Sequence, residues 1–314
     1  MMKKPCVVLL VLCVLVGSLA AQETVRTSRP ATTQVPTDKI KVRVDLVNVL
    51  MTVTNKKNRL ETALAKDDFR VLEDDKPQTI RYFSRETNLP LRIGVLVDTS
   101  SSIRDRLRFE QEAAIDFLNT TLRAGKDLAF VVAFDVQTQV VQDYTDNLEK
   151  LSEAIRSLLA GGVTTLYDAI YFSCREKMLI FPPPEPYLRR VLIIISDGQD
   201  NQSEHTREEA LAMAQRAEVT LYAISTNATG LPEHGDKILR RLAEGTGGRA
   251  FFPFKASETA ANFQEIAREL RSQYSLAYLS TNRAHDGTFR SITIEPLQKG
   301  LQVRAKPGYF APSE

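Results

Sequence analysis

Two apolar runs, each broken off by an aspartate, constrain this chain more than any other feature. Residues 91–98 read LRIGVLVD, and residues 191–197 read VLIIISD. A short apolar run ended by turn-forming residues is the pattern of a strand buried on both faces. Strands of that kind belong to parallel sheets covered by helices. Between and after the two runs, strand patterns alternate with segments of helical period. Helices are expected over 104–122, 148–159, 166–179, 206–217, 237–243 and up to 271. Strands are expected over 128–135, 139–141, 219–225 and 249–252. Such alternation predicts an α/β domain, residues 90–272, with a doubly wound, mainly parallel six-stranded sheet.

The flanks have another texture. Residues 40–89 alternate apolar and polar side chains through Val42, Val44 and Leu46, then Val47, Val49, Met51 and Val53, with a phase slip near Leu46. Turns are expected at 55–58 and 74–77. Residues 273–314 alternate again at Tyr274, Leu276 and Tyr278, and Asp286-Gly287 is a hairpin signal. Each flank is too short to fold alone, so the two are expected to pack together as one small β module beside the central domain.

At the start of the chain stand Lys3 and Lys4, an apolar run over 6–16, then Gly17, Ser18, Ala20 and Ala21. This order reads as a secretory signal peptide, residues 1–21, cleaved after Ala21. The rival reading is an N-terminal membrane anchor, but the run falls short of the roughly 20 residues a span needs. Residues 22–39, rich in Thr, Pro and Gln, read as a flexible linker. A secreted or periplasmic location follows, with no membrane span after cleavage. Cleavage would remove two lysines and no acids, leaving as many basic residues as the 39 acidic ones. That balance argues against a nucleic-acid partner. Cys6 and Cys13 would leave with the signal, so Cys174 has no intrachain partner and reads as a small buried apolar residue.

The candidate chemistry sits where the two aspartate-ended strands finish. Asp98, Ser100 and Ser102 are spaced so that a tight loop can turn one carboxylate and two hydroxyls toward a common point. All three are hard oxygen donors of the kind that suit Mg²⁺, Mn²⁺ or Ca²⁺. The plainer alternative is a helix cap, for which Ser, Thr and Asp are favoured. Ligands of doubly wound sheets bind beyond the carboxyl ends of the strands where strand order reverses, which makes Asp197 a neighbour for Asp98. The stretch 161–168, GGVTTLYD, adds a hydroxyl from Thr164 or Thr165.

In this order and setting, the residues resemble the von Willebrand factor type A domain. That family's metal-ion-dependent adhesion site has the form Asp-x-Ser-x-Ser after the first strand, a Thr in a later loop and an Asp after the fourth strand. Residues 90–271 carry Asp98, Ser100 and Ser102, then Thr164 in GGVTTLYDA, then Asp197 in IIISDGQDN. The flanking segments are similar to those of the bacterial secreted group described as von Willebrand factor type A-related. The resemblance implies a Rossmann-like domain whose Asp98, Ser100, Ser102, Thr164 and Asp197 hold Mg²⁺, or Mn²⁺ or Ca²⁺ in its place. It further implies that an Asp or Glu carboxylate from a partner protein completes the coordination. The implied role is adhesion or interaction, not catalysis.

Two other functions remain open from the residues. An aspartate beside a metal can accept a phosphoryl group, but position 100 is Ser, not a second acid, and no lysine follows a strand to hold a phosphate. A metal-free scaffold or assembly protein binding through the β module is the second. His205, His234 and His285 lie scattered in loops and read as surface residues, and Gly245–Gly248 lacks the lysine and helix of a phosphate loop. Asp200 and Asn201 read either as neighbours of the metal ligands or as loop caps.

Overall fold

The computed structural model describes residues 46–85, 88–180, 188–227, 231, 233–253 and 255–313. The expected signal peptide, the linker and the alternation over 40–45 lie outside the described residues. Four strands lead in: β1 (Leu46–Asn55), β2 (Phe69–Glu73), β3 (Lys76–Gln78) and β4 (Ile80–Arg85). The central sheet follows with β5 (Leu91–Asp98), β6 (Leu128–Phe134), β7 (Thr138–Thr145), β8 (Arg189–Ser196), β9 (Val219–Ser225) and β10 (Arg249–Phe251). Its order is β10-β9-β8-β5-β6-β7, parallel throughout except for β7. The two aspartate-ended strands are therefore direct neighbours, with Val97 opposite Ile195.

Helices cover both faces, as a parallel sheet requires. On one side Ile93, Val95 and Val97 pack with α1 (Leu107–Thr121), α2 (Leu148–Arg156) and α6 (Ala256–Leu270), through Phe117, Ile155, Phe263 and Ile266. On the other, Leu96, Phe130, Leu192 and Ile194 pack with α3 (Leu166–Phe172), α4 (Arg207–Arg216) and α5 (His234–Glu244). Burying aliphatic side chains of this size stabilises by roughly 1.5–3 kcal/mol each. Among the described residues no helix is long and apolar enough to cross a membrane.

The flanking strands form two sheets. With β11 (Tyr274–Leu279), β12 (Phe289–Pro296), β13 (Leu301–Ala305) and β14 (Gly308–Phe310), the orders are β13-β1-β11-β4 and β14-β12-β2-β3. One core, including Val49, Met51, Val71, Tyr274, Leu276 and Ile292, is shared by strands of both. Because β11 and β12 belong to different sheets, Asp286-Gly287 does not close a hairpin between them; the chain crosses from one sheet to the other there. The expected turn over 74–77 is shorter, confined to Asp74 and Asp75, both at positive φ, which leaves Pro77 in strand β3. Both aspartates take the left-handed backbone that a two-residue hairpin turn requires.

Two helices also depart from expectation. Residues 104–106 stay out of α1, which starts at Leu107, after a short 3-10 turn over Ser101–Ile103. The helix expected over 166–179 is α-helical only to Phe172 and continues as a π-helical segment, Ser173–Leu179. Side chains take carbonyls at its end: the Tyr144 hydroxyl donates to Lys177 O at 3.1 Å, and Arg190 Nε donates to Met178 O at 3.0 Å.

Candidate metal centre

Asp98 ends β5 and is fully buried. Its Oδ1 accepts the Ser100 N–H at 2.8 Å, an Asx turn that bends the chain away from the strand direction. Its Oδ2 accepts the Ser196 hydroxyl at 2.7 Å. The hydroxyls of Ser100 and Ser102 lie 2.9 Å apart. Neither caps a helix: the 3-10 turn and α1 both begin without a side-chain cap. The capping alternative therefore fails, and the two hydroxyls share one spot above the sheet edge.

The loop bearing the threonines is stitched to this turn. Gly161 N–H donates to Thr99 O at 2.6 Å, and Gly162 O accepts the Ser101 N–H at 3.2 Å. Thr165 Oγ1 donates to the Asp135 carbonyl at 2.9 Å. Thr164 is buried. Its carbonyl accepts the Asn201 N–H at 3.0 Å, which ties this loop to the one that follows β8.

Asp197 begins that loop, half-buried, with Oδ1 accepting Gln199 N–H at 2.9 Å. Two glycines set its position. Gly198 has φ +77°, and a Cβ there would come within 2.3 Å of Gly235 O; a Cβ on Gly235 would come within 2.0 Å of Asp197 O. Only glycine at both places lets the backbone after β8 press against the first turn of α5. Asp200 serves as a loop cap, its Oδ2 accepting Tyr167 N–H at 3.0 Å at the start of α3. His205 is not a free surface residue. Its Nδ1 lies 2.7 Å from Asp168 Oδ1, and its ring stacks on Tyr171 with centroids 3.8 Å apart.

Electrostatics single out this edge. Burial pushes the Asp98 carboxyl up to about 6, with the Asp197 charge adding to the shift and the hydrogen bonds from Ser196 and Ser100 opposing it. Among the described residues no basic side chain lies within ion-pair distance of Asp98 or Asp197. No cluster of three or more His, Cys, Asp or Glu able to chelate an ion is found among them either. The candidate donors are two carboxylates and neutral hydroxyls, with no cation paired to Asp98 among the described residues. That set fits a hard divalent ion, which suits oxygen ligands and tolerates hydroxyls and water.

One acidic residue escaped the sequence reading. Glu110 lies on the inward stripe of α1 with Leu107, Gln111, Ala114, Phe117 and Leu118, and is 2% exposed. Burial pushes its carboxyl up to about 8; Arg106 opposes the shift, and the charges of Asp98 and Asp197 add to it. The available signal was an acid at an i, i+3, i+4, i+7 position otherwise reserved for core residues.

Residues 93–269, more than half of the chain, match the von Willebrand factor type A domain. A human protein, von Willebrand factor A domain-containing protein 3B, is 26% identical over 201 residues, which cover 62% of this chain and only 14% of that protein. Among solved structures, von Willebrand factor type A from Catenulispora acidiphila superposes with a TM-score of 0.50 at 13% identity, covering 86% of this chain and 74% of that one. Proximal thread matrix protein 1 from the mussel byssus, solved with a zinc-occupied MIDAS motif, superposes with a TM-score of 0.51 at 18% identity, covering 63% of this chain and 50% of that one. These structural likenesses are likenesses of fold. The match over 93–269, laid on a sheet whose two central strands end at Asp98 and beside Asp197, establishes that this chain belongs to the von Willebrand factor type A family.

Proposed function

We propose that the protein is an extracytoplasmic, metal-dependent protein-binding module whose divalent ion is held by Asp98, Ser100, Ser102, Thr164 and Asp197. The observation that carries this reading is Asp98: a fully buried carboxylate with no cation beside it among the described residues, in a turn that also brings two hydroxyls within 2.9 Å of each other. A buried acid left that way is costly unless a positive charge arrives. Thr164 is preferred to Thr165 because the Thr165 hydroxyl is already committed to the Asp135 carbonyl. The zinc-occupied MIDAS motif of the mussel protein supports the same reading.

When bound, Mg²⁺ (or Mn²⁺ or Ca²⁺) supplies a Lewis-acidic position that a partner's Asp or Glu carboxylate can fill. The chain's own residues set the strength of that attraction. Ser100, Ser102 and Thr164 bring no charge, so only Asp98 and Asp197 offset the ion, which remains electrophilic toward a third carboxylate. Interaction, not catalysis, is the function this donor set favours. The extracytoplasmic assignment rests on the pattern of residues 1–21.

Calorimetric titration of Mg²⁺ and Mn²⁺ into the purified protein, beside Asp98→Ala and Asp197→Ala, tests the site. Binding by the wild type that both substitutions abolish, with folding intact, is the expected result. Partner capture run with and without chelator then tests the function. Capture that survives chelation would overturn it in favour of the scaffold reading.

A further inference from the structure

We infer that Glu110 is a third acidic group of this metal centre, acting on the ion from its buried side by accepting a hydrogen bond from an ion-bound water. The inference rests on the metal reading above and extends it to a residue outside the five expected ligands.

Glu110 Oε2 is buried and has no hydrogen-bond partner among the described residues. Its Oε1 stands 3.9 Å from Arg106 Nε, within ion-pair range but too far for a hydrogen bond. Arg106 cannot simply close that gap, because its Nη1 is held by the carbonyls of Thr226 at 2.7 Å and Asn227 at 3.0 Å. The adjacent buried side chain, by contrast, is satisfied: Gln111 Nε2 donates to the Ile155 carbonyl at 2.8 Å and the Leu158 carbonyl at 3.0 Å. Buried carboxyl oxygens are seldom left without a hydrogen-bond partner, so one is missing at Glu110, and for the ionised group it must be a donor.

The neighbouring acids cannot supply it. Hydrogen bonds link Glu110's ion-pair partner to them: Arg106 donates to the Thr226 carbonyl, the Thr226 N–H donates to the Ser196 carbonyl, and the Ser196 hydroxyl donates to Asp98 Oδ2; as carboxylates, Asp98 and Asp197 are acceptors. A water carried by a divalent ion is a donor, and Mg²⁺ in particular keeps several of its waters. Charge points the same way. A divalent ion would bring the positive charge that lets Glu110 ionise there, and together with Arg106 it would balance three ionised acids. Glu110 is thus a positioning residue, and Arg106, anchored to the loop after β9, holds it in place.

The test follows Mn²⁺ binding by the spectrum of the free ion, with calorimetry for Mg²⁺, in the wild type and in Glu110→Gln. Thermal unfolding in chelator reports the fold separately. Residues that support metal ligands from behind typically contribute 10–100-fold to affinity. Glu110→Gln is expected to weaken Mn²⁺ binding on the order of tenfold or more, while its unfolding midpoint in chelator stays at or above that of the wild type. Glu110→Leu, which removes the acid altogether, should do the same if the Gln variant folds poorly. A folded Glu110→Gln that binds Mn²⁺ as tightly as a binding wild type would overturn the role of Glu110 alone. A wild type that takes up no Mn²⁺ would overturn the centre and this role together.

Discussion

The two ends of the central sheet treat buried carboxylates in opposite ways. At the amino-terminal edge, Asp127 sits just before β6 and is fully buried. It accepts from the Leu91 N–H at 2.8 Å, the Arg123 N–H at 3.0 Å, Arg123 Nε at 2.8 Å, Arg123 Nη2 at 2.9 Å and Arg271 Nη2 at 2.9 Å. Burial alone would raise its pKa, but these donors outweigh burial and hold it at about 2. Glu269, at the junction with the β strands, is similarly enclosed by Thr52 at 3.0 Å, Tyr222 at 2.6 Å and Arg304 at 2.5 Å. At the carboxyl edge, Asp98 accepts from the Ser100 amide and the Ser196 hydroxyl with no ion pair among the described residues, and Glu110 Oε2 has no hydrogen-bond partner among them. The first arrangement fastens strands and helices together. The second leaves buried acids without that enclosure among the described residues.

Exchanging acid for amide at each end separates the two roles. Asp98→Asn is expected to weaken divalent-ion binding on the order of 100-fold or more, as loss of a charged ligand should. In chelator, its unfolding midpoint should match or exceed that of the wild type, because an unpaired buried charge has gone. Asp127→Asn should do the reverse. It leaves Mn²⁺ affinity unchanged but lowers stability by about 2–3 kcal/mol, since two arginines lose their shared partner while keeping some solvent contact. Denaturant titration of both variants beside calorimetry checks the pair.

Acid sharpens the contrast. The folded pKa of Asp127 lies below its ordinary value of 3.8, so its contribution is fully present above about pH 4 and is lost as pH falls toward about 2. Between those limits the wild type should lose roughly 2 kcal/mol more than Asp127→Asn does. Equal acid sensitivity in the two proteins would show that the five donors do not act as described.

The smallest effects expected are at the paired threonines. Thr164→Val should weaken ion binding about tenfold with little change in stability. Thr165→Val should leave ion binding alone and cost about 1 kcal/mol through the lost hydrogen bond to the Asp135 carbonyl. The opposite pattern would exchange their roles.

Much of this edge was legible from the sequence because strand ends are punctuated chemically. The runs ending at Asp98 and Ser196-Asp197 announced two buried parallel strands, and their adjacency followed from the geometry of doubly wound sheets. Glu110 was harder, because its meaning depends on which way one helix face turns; an acid on an apolar stripe was the only trace. The donors around Asp127 come from residues up to 144 positions away, a convergence that local periodicity does not encode. The β flanks make the same point. Alternation at Val47, Val49 and Met51 reveals which side chains face inward, but not that β1 lies between β11 and β13 while β2 joins β12. Asp286-Gly287 misled for a related reason: a turn signal fixes the local bend, not whether the strands on either side pair.

The most direct measurement is the thermal unfolding midpoint of the wild type and of Asp98→Asn, each in chelator and at saturating Mn²⁺. An ion that binds the folded state at a hundred times its dissociation constant adds about 2.7 kcal/mol. The wild type should therefore unfold several degrees higher with Mn²⁺, and Asp98→Asn should not respond. A wild type whose midpoint is the same in chelator, Mn²⁺, Mg²⁺ and Ca²⁺ would contradict a metal centre at this edge of the sheet.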